Sequence, residues 1–481
     1  MPGRLLKENA APKRQGSAWL ALALGVFVAA LAAGCKMGPN YHKPDVPIPA
    51  AYHDYNPNPE EEVKAESYAD LPWWQVFQDP ALQDLIRTAL KQNYDLQTAA
   101  DRILEARAQL AVTRSSLFPQ VSTNADFSGG KEPNFQTKSN ILTLTADASF
   151  QLDLFGKLRR ETEAARAQEL ASEAARQTVV LTLVSDVASD YFQLLQLDLQ
   201  LQIAKDTVNT QQDAVKLTKL RLSHGVATKL DVLQAEQVLD TADAQIPDLE
   251  RQIGQEEDAI SVLLGNYPQA IPRGKPLVEQ PLPPSVPPGM PSALLERRPD
   301  IRQAEQNLIA ANAQIGVAKA SFFPDIGLTG SGGGAFGRSS AFSSVMSTQS
   351  SIWAYGAKVS QPIFTGGALT GNLHYAKAYQ QEELAAYKQA IQYAFRDVSD
   401  ALIGYQKLHE VRIEQEITVK DLQDSVDTSL QRYRGGITTY LEVLDGQRSL
   451  FTAELTLAQA RGNEYLSLVQ LYKALGGGWQ Q

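Results

Sequence analysis

Hydrophobic and polar residues alternate along short stretches in both halves of the chain. From Leu142 to Leu152 every second residue is apolar, and the residues between them are Thr, Asp, Ser and Gln. A period of two with one apolar face predicts a strand. Residues 352–360 show a similar pattern, and we predict partner strands over residues 120–130 and 325–331. Such strands suit a half-buried sheet, and they equally suit a barrel with lipid outside and water inside.

Other stretches have the pattern of very long helices. Residues 157–224 contain no Gly and no Pro, and their apolar positions are sparse. Val208, Val215 and Leu222 are spaced as in a heptad repeat, which predicts coiled-coil pairing. The same criteria predict further helices over residues 81–117, 230–264, 292–320, 368–433 and 440–475.

The chain is internally duplicated. The segment "RSSLFPQVSTNADFSGG" from Arg114 parallels "KASFFPDIGLTGSGGG" from Lys319, and "KLRLSHGVATKLDVLQAEQVL" from Lys219 parallels "RYRGGITTYLEVLDGQRSLF" from Arg432. A repeat of this length indicates two copies of one structural unit. The predicted segments are a signal peptide (1–34), an N-terminal equatorial part (35–80), a first repeat (81–265, with a β-hairpin over 119–153 and long helices over 154–265), a Pro-rich linker (266–291), a second repeat (292–476, with a β-hairpin over 324–362 and long helices over 367–476) and a tail (477–481).

The predicted strands must cross a membrane as a barrel if they cross one at all. No apolar run of span length follows Cys35, which excludes an ordinary transmembrane helix from the prediction. Four strands cannot close a barrel, and open strand edges are not tolerated in lipid. Two copies would supply eight strands, and three copies would supply twelve, which leaves room for water.

The N-terminus has the layout of a secretory signal peptide. An uncharged stretch over residues 19–33 follows four basic residues, Arg4, Lys7, Lys13 and Arg14. The only cysteine, Cys35, comes directly after "LAAG", which predicts a bacterial lipobox and lipidation of Cys35. The box has Ala32 where Leu is usual, and an incidental cysteine beside a signal-peptidase site is the alternative. Lys36 resembles the residue after the cysteine in lipoproteins that are exported to the outer membrane.

Composition excludes several classes of function. The net charge of -10 argues against binding to nucleic acid. No two of the five His residues have metal-ligand spacing, so we expect no metal and no cofactor beyond the lipid on Cys35. No constellation of acid, base and nucleophile is present, so we expect no enzyme. The glycine-rich run over residues 330–337 precedes no helix, and we interpret it as a loop.

Several motifs resemble the outer-membrane efflux lipoproteins of Gram-negative bacteria, the OprM-like and NodT-like branch of the TolC family. The resemblance covers essentially the whole mature chain and rests on "CKMGPNYHKP", "ERRPDIRQAEQNLIAANAQIGVAKASFFPDIGLTG", "FTGGAL", "AFRDVSDAL" and "RYRGGITTYLEVLDGQRSLF". It implies an α+β membrane protein that is a homotrimer. Twelve strands form one outer-membrane barrel, which a coiled-coil helical barrel continues into the periplasm with a small mixed equatorial domain around it. It also implies two partners, a periplasmic adaptor and an inner-membrane pump.

The resemblance also implies a gate at the periplasmic helix tips. Glu442 and Asp445 match acids that face the channel axis, Leu441 matches an apolar constriction, and Tyr433 matches a tyrosine that holds the closed state. The family's basic partner falls at Thr438, so this chain lacks that contact. The first-repeat equivalents, Asp231 and Gln234, are expected to face the adaptor or to be structural. The hairpin turns and adaptor-docking contacts are expected at Gly225, Thr228, Gly435, Gly436 and Thr438.

The expected function is therefore an outer-membrane exit duct for drugs or other small toxic compounds. A duct for protein or metal-ion export is an alternative of the same class. A lipid-anchored coiled-coil scaffold without a pore is an alternative of another class, and the alternating strands argue against it.

Overall fold

The computed structural model describes residues 35–49, 51–53, 68–131, 138–281, 293–338 and 349–479. The predicted signal peptide lies outside these residues. Cys35, at the start of the described part, is exposed and makes no disulfide. The chain divides into two compact units, and each unit takes segments from both repeats.

The first unit comprises the described residues within 1–43, 106–169 and 307–384 and contains the sheet. Its strands are β1 (Gln120–Lys131), β2 (Lys138–Leu152), β3 (Asp325–Arg338) and β4 (Gln349–Ser360). All neighbours are antiparallel, in the order β1-β2-β3-β4. Each repeat supplies one hairpin, and the pairing of β2 with β3 joins the two. Among the described residues, β1 and β4 are therefore the outer strands.

The apolar face that the alternation predicts is exposed in the isolated chain. Trp353 is 74% exposed and Tyr355 is 83% exposed, and their rings stack at 6.0 Å between centroids. Val359 on the same strand is also exposed. Large exposed apolar surfaces of this kind normally face a membrane or a partner.

The glycine-rich run over residues 330–337 lies inside β3, so its interpretation as a loop was wrong. β3 pairs with strands on both sides, and its backbone approaches β2 closely at Gly333. A Cβ atom at Gly333 would lie 1.9 Å from the carbonyl oxygen of Leu144. Glycine is therefore required there by close contact between two backbones, which a rule based on turn propensity does not detect.

The segment that follows Cys35 packs against the start of a long helix in the same unit. Arg160 is completely buried, and its guanidinium donates to the carbonyl oxygens of Met37 at 2.9 Å and Gly38 at 3.2 Å. It also donates to the Asn40 side chain at 3.0 Å and pairs with Glu163 at 2.9 Å. A buried arginine with this many partners fixes the chain directly after the predicted lipidation site.

The second unit comprises the described residues within 44–105, 170–306 and 385–481. The α-helices among the described residues are α1 (Trp73–Val76), α2 (Pro80–Gln92), α3 (Tyr94–Ser115), α4 (Lys157–Ser223), α5 (Lys229–Leu263), α6 (Leu294–Arg297), α7 (Pro299–Ala320), α8 (Ala368–Arg434) and α9 (Tyr440–Ala474). The four long helices, α4, α5, α8 and α9, end within one residue of their predicted bounds.

Two shorter helices differ from their predictions because each is interrupted. The predicted helix over 81–117 is broken at Asn93, whose side chain accepts from the Leu96 N–H and donates to the Leu263 carbonyl, both at 3.0 Å. The predicted helix over 292–320 is broken at Arg298, the residue before Pro299. Proline disfavours helical geometry in the residue that precedes it. The break at Asn93 depends on a contact from a distant part of the chain.

The long helix α4 requires a further correction. One window within it is long and apolar enough to cross a membrane by composition, although no such run was expected after Cys35. Because 61% of that window is buried inside the protein, it has the character of a core helix.

A buried carboxylate connects the Pro-rich segment to the helices of the second unit. Asp79 is 1% exposed and caps α2 by accepting from the Ala81 N–H at 2.9 Å. It also accepts from the Tyr191 hydroxyl at 2.9 Å and the Lys275 N–H at 3.2 Å. The Gln280 amide donates to it as well. These bonds hold residues 275–280 against α4.

The contact at Gly333 gives a direct test of the sheet. Gly333→Ala forces β2 and β3 apart, and overpacking of this kind costs about 1–3 kcal/mol. We expect a lower temperature for loss of the β-sheet circular dichroism signal of the purified protein in detergent. The matched control is Gly332→Ala, because no atom lies within 4 Å of a Cβ atom at Gly332. Equal stability of the two variants would contradict the close contact.

Candidate functional site at the helix tips

The first tip joins α4 to α5 by a glycine turn followed by a capping box. Gly225 has φ +74°, and the Val226 N–H donates to the Arg221 carbonyl at 2.9 Å. Left-handed backbone of this kind favours glycine. Thr228 caps α5 by accepting from the Asp231 N–H at 3.2 Å, and the Asp231 carboxylate accepts from the Thr228 N–H at 2.7 Å. Asp231 therefore has a structural contact at the start of α5.

The second tip joins α8 to α9 with the same turn and a weaker cap. Gly436 has φ +72°, and the Ile437 N–H donates to the Arg432 carbonyl at 2.9 Å. Gly435 does not adopt this left-handed conformation. Thr439 is the N-cap residue of α9, but its side chain makes no capping hydrogen bond. The start of α9 is thus less firmly fixed by local bonds than the start of α5.

Three of the predicted gate residues lie on one exposed face of α9. Leu441 is 48% exposed, and Glu442 and Asp445 are also exposed. Val443 and Leu444, on the opposite face of the same turn, are buried. Helical periodicity places residues three and four apart on one side, so Asp445 lies beside both Glu442 and Leu441.

Glu442 has partners within its own hairpin. The Thr438 hydroxyl donates to the Glu442 carboxylate, although Thr438 occupies the position of the family's basic residue. Arg432 lies 3.5 Å from the same carboxylate, and both side chains are about half exposed. Asp445, by contrast, takes part in no ion pair within the described ranges of the chain. Arg432 was not among the predicted site residues, although it lies within the quoted "RYRGG" motif.

Tyr433 connects the two hairpins through its ring. The Arg221 guanidinium, near the end of α4, lies 4.5 Å from the centre of the Tyr433 ring on α8. The Tyr440 ring packs against Tyr433 at 5.1 Å between centroids. Burial raises the pKa of the Tyr440 hydroxyl, and nearby Tyr433 and Asp231 add to the effect. A cation over an aromatic ring contributes about 0.5–2 kcal/mol, so Arg221 stabilises the contact between the hairpins.

An apolar cluster lies beneath the tips and is shared by both hairpins. It contains Val215 of α4, Ala235 of α5, and Tyr440, Val443 and Leu444 of α9. All five are at most 7% exposed. The exposed gate residues on α9 are therefore held by packing on the opposite side of the same helix.

The difference between the two caps predicts different responses to the same substitution. Thr228→Ala removes a capping bond, which costs about 0.5–2 kcal/mol. We expect faster amide hydrogen exchange in the first turn of α5. Thr439→Ala is the matched control, and we expect a much smaller change in the first turn of α9. Similar acceleration at both helix starts would contradict the assigned caps.

The chain matches known proteins over nearly all of its length. The model of the family described as "Outer membrane efflux protein" matches residues 85–266 and 290–477, one match for each repeat. A probable efflux pump outer membrane protein of Pseudomonas putida, TtgC, is 36% identical over 475 residues, which is 96% of each chain. The cation efflux system protein CusC of Escherichia coli is 36% identical over 460 residues, 95% of this chain and 98% of that protein.

Solved structures agree with these sequence matches. A crystal structure of CusC, studied for folding and transmembrane channel formation, superposes with a TM-score of 0.83 at 33% identity and covers 92% of this chain and 100% of CusC. The open state of the Neisseria gonorrhoeae MtrE outer membrane channel gives a TM-score of 0.83 at 32% identity, over 92% of this chain and 99% of MtrE. The chain therefore belongs to the outer membrane efflux protein family.

Proposed function

We propose that this protein is the outer-membrane exit duct of a tripartite efflux system. It conducts drugs or other small toxic compounds passively, catalyses no reaction, and depends on an inner-membrane pump and a periplasmic adaptor. The observation that carries the proposal is the pair of long helix hairpins, the second of which exposes Leu441, Glu442 and Asp445 on one face of its tip. Relatives at 35–36% identity are named as antibiotic, toluene and cation efflux proteins, which supports an efflux duct.

The duct is a homotrimer in this proposal. The outer strands β1 and β4 of one sheet would pair with those of neighbouring copies, and three sheets of four strands close a barrel of twelve. Lipid on Cys35, which is exposed, anchors each chain to the outer membrane. The exposed apolar face that carries Trp353 and Tyr355 meets lipid.

The gate is formed by three copies of the exposed face of α9. Rings of like charge around a narrow bore favour cations and repel one another, which makes closure costly and reversible. Arg432 offsets part of the charge of Glu442, whereas Asp445 has no ion-pair partner within the described ranges. Asp445 therefore supplies most of the negative charge in the closed bore. The exposed turns at Gly225, Thr228, Gly435, Gly436 and Thr438 are the adaptor-docking contacts in this proposal.

Export of metal cations is a second candidate for the cargo. It is favoured by the 36% identity to a cation efflux protein over nearly the full length of both chains. A conduit need not bind its cargo through dedicated ligands, so the same duct architecture serves both candidates.

The charge difference between the two acids predicts different effects on ion selectivity. In planar bilayers under a salt gradient, we expect Asp445→Asn to reduce the cation preference of the wild-type channel strongly. Glu442→Gln should reduce it less, because Arg432 already offsets this carboxylate. Asp240→Asn, an exposed acid on α5, is the control and should leave the preference unchanged. Unaltered selectivity in both gate variants would rule these acids out of the bore.

The contact between Arg221 and Tyr433 predicts a second change in channel behaviour. Arg221→Ala removes a contribution of about 0.5–2 kcal/mol, which corresponds to an opening probability about two to thirty times higher. Single-channel recording measures this directly. Arg434→Ala, which removes a charge at the same tip but no ring contact, is the control. If both variants have the same opening probability, loss of charge alone explains the result. A role for the Arg221–Tyr433 contact in keeping the channel closed is then excluded.

A further inference from the structure

A pocket of about 350 Å³ lies between α4, α8 and α9, on the side of the apolar tip cluster that is away from the turns. Each of the three helices contributes one carboxylate to its wall: Asp206 from α4, Asp427 from α8 and Glu454 from α9. Its lining includes no Lys, Arg or His. The pocket is thus a place where both hairpins present negative charge to one small volume.

The three carboxylates have only neutral partners. The Gln202 amide donates to Asp206 at 2.9 and 3.0 Å, and the Gln423 amide donates to Asp427 at 3.4 Å. Within the described part of the chain, none of the three forms an ion pair. Burial raises the pKa of Glu454, and the negative charge of Asp206 adds to the rise. The repulsion between these helices is therefore not offset by the protein's own basic residues.

Two amide groups in the same wall also lack partners. Gln211 is 2% exposed, and its Oε1 atom has no hydrogen-bond partner among the described residues. The Oε1 atom of Gln447 is also buried and unpartnered in the same part of the chain. A buried acceptor without a donor is unfavourable, and such groups are normally satisfied in native proteins. Amide and carboxylate oxygens together are the ligand set of hard cations.

The size of the pocket fits a hydrated cation better than a bare one. The described residues contain no cluster of three carboxylate, His or Cys side chains close enough to hold a bare metal ion. The volume instead accommodates an ion together with several waters, since one water takes about 30 Å³. Mg²⁺ dehydrates reluctantly and is usually bound through its waters. We propose that this pocket binds a hydrated divalent cation, with Mg²⁺ as the natural ion, and that the ion bridges α4 of the first hairpin to α8 and α9 of the second.

The consequence for gating rests on the proposed function. Phe451 of α9 lines the pocket and also packs in an apolar cluster with Leu197, Ala204 and Val208 of α4. This apolar contact holds α9 against α4 beside the pocket, while the carboxylates repel. A bound divalent ion replaces the repulsion by attraction to all three helices. Millimolar Mg²⁺ therefore stabilises the arrangement described here and lowers the opening probability.

Mn²⁺ is a suitable probe, because its electron paramagnetic resonance signal distinguishes free from bound ion. The full-length protein in detergent is titrated at fixed ionic strength, with Mg²⁺ as competitor. We expect one Mn²⁺ site per chain, displaced by Mg²⁺. The double variant Asp206→Asn, Asp427→Asn should bind at least tenfold more weakly. The control Asp213→Asn, Asp424→Asn removes two charges from the same two helices outside the pocket and should bind like the wild type.

Gln211→Leu provides a second variant that leaves every charge in place. It should weaken Mn²⁺ binding while circular dichroism remains that of the wild type, and it replaces the double variant if the latter fails to fold. Equal Mn²⁺ binding by the pocket and control variants would overturn the site. Binding of spermine without binding of Mn²⁺ would also overturn it, since the pocket would then take an organic polycation.

Channel recordings separate this inference from the duct itself. Currents that persist in the pocket variants but lose their dependence on Mg²⁺ support both the duct and the site. Absence of current from wild-type protein that binds Mn²⁺ would contradict the duct and leave the site intact.

Discussion

The unpaired edges of the four-stranded sheet are the constraint on which the rest of this protein depends. Each outer strand, β1 and β4, carries a row of N–H and C=O groups that the described chain does not satisfy on one side. In water such groups bind solvent, but in the hydrocarbon core of a membrane each unsatisfied group costs several kcal/mol. A sheet with an exposed apolar face and two open edges is therefore incomplete as a single chain. Membership of the outer membrane efflux protein family agrees with a structure that copies of the chain complete together.

The internal duplication determines how both the sheet and the helical unit are built. Each repeat contributes a β-hairpin and a pair of long helices, and the sheet joins the repeats where β2 meets β3. The second unit joins them again, through the apolar cluster that includes Val215 and Val443. The two tips share one turn geometry but differ in their caps and in their exposed acids. This asymmetry distinguishes the first tip, which has a complete capping box, from the second tip, which carries the proposed gate residues.

Local sequence patterns were sufficient for most of the elements. Alternation predicted the strands, and the absence of Gly and Pro predicted the long helices, which end at turns that need a left-handed residue, Gly225 and Gly436. The break at Arg298 follows from the adjacent Pro299, whereas two other failures share one physical cause, which is contact with a distant segment. Position 333 of the strand requires glycine because the Leu144 carbonyl lies close to its backbone. Asn93 interrupts a helix where its side chain bonds to the Leu263 carbonyl.

The gate role of the helix-tip residues stays a prediction, because the structure shows where they lie and not what they do. The resemblance placed Leu441, Glu442 and Asp445, which the structure brings to one exposed face. It did not provide Arg221, because the partner ring belongs to the other repeat, nor Arg432, which contacts Glu442 across the turn. The contact between Arg221 and Tyr433 joins the two repeats. Contacts of this kind leave no periodic pattern in the sequence, so they cannot be predicted from it.

The most direct measurement is electron cryo-microscopy of the purified protein in lipid nanodiscs. The proposed duct predicts three copies around one axis, β1 of each copy hydrogen-bonded to β4 of the next, and Asp445 facing the bore at the helix tips. A different copy number, outer strands left unpaired in the lipid, or Asp445 turned away from the axis would contradict it.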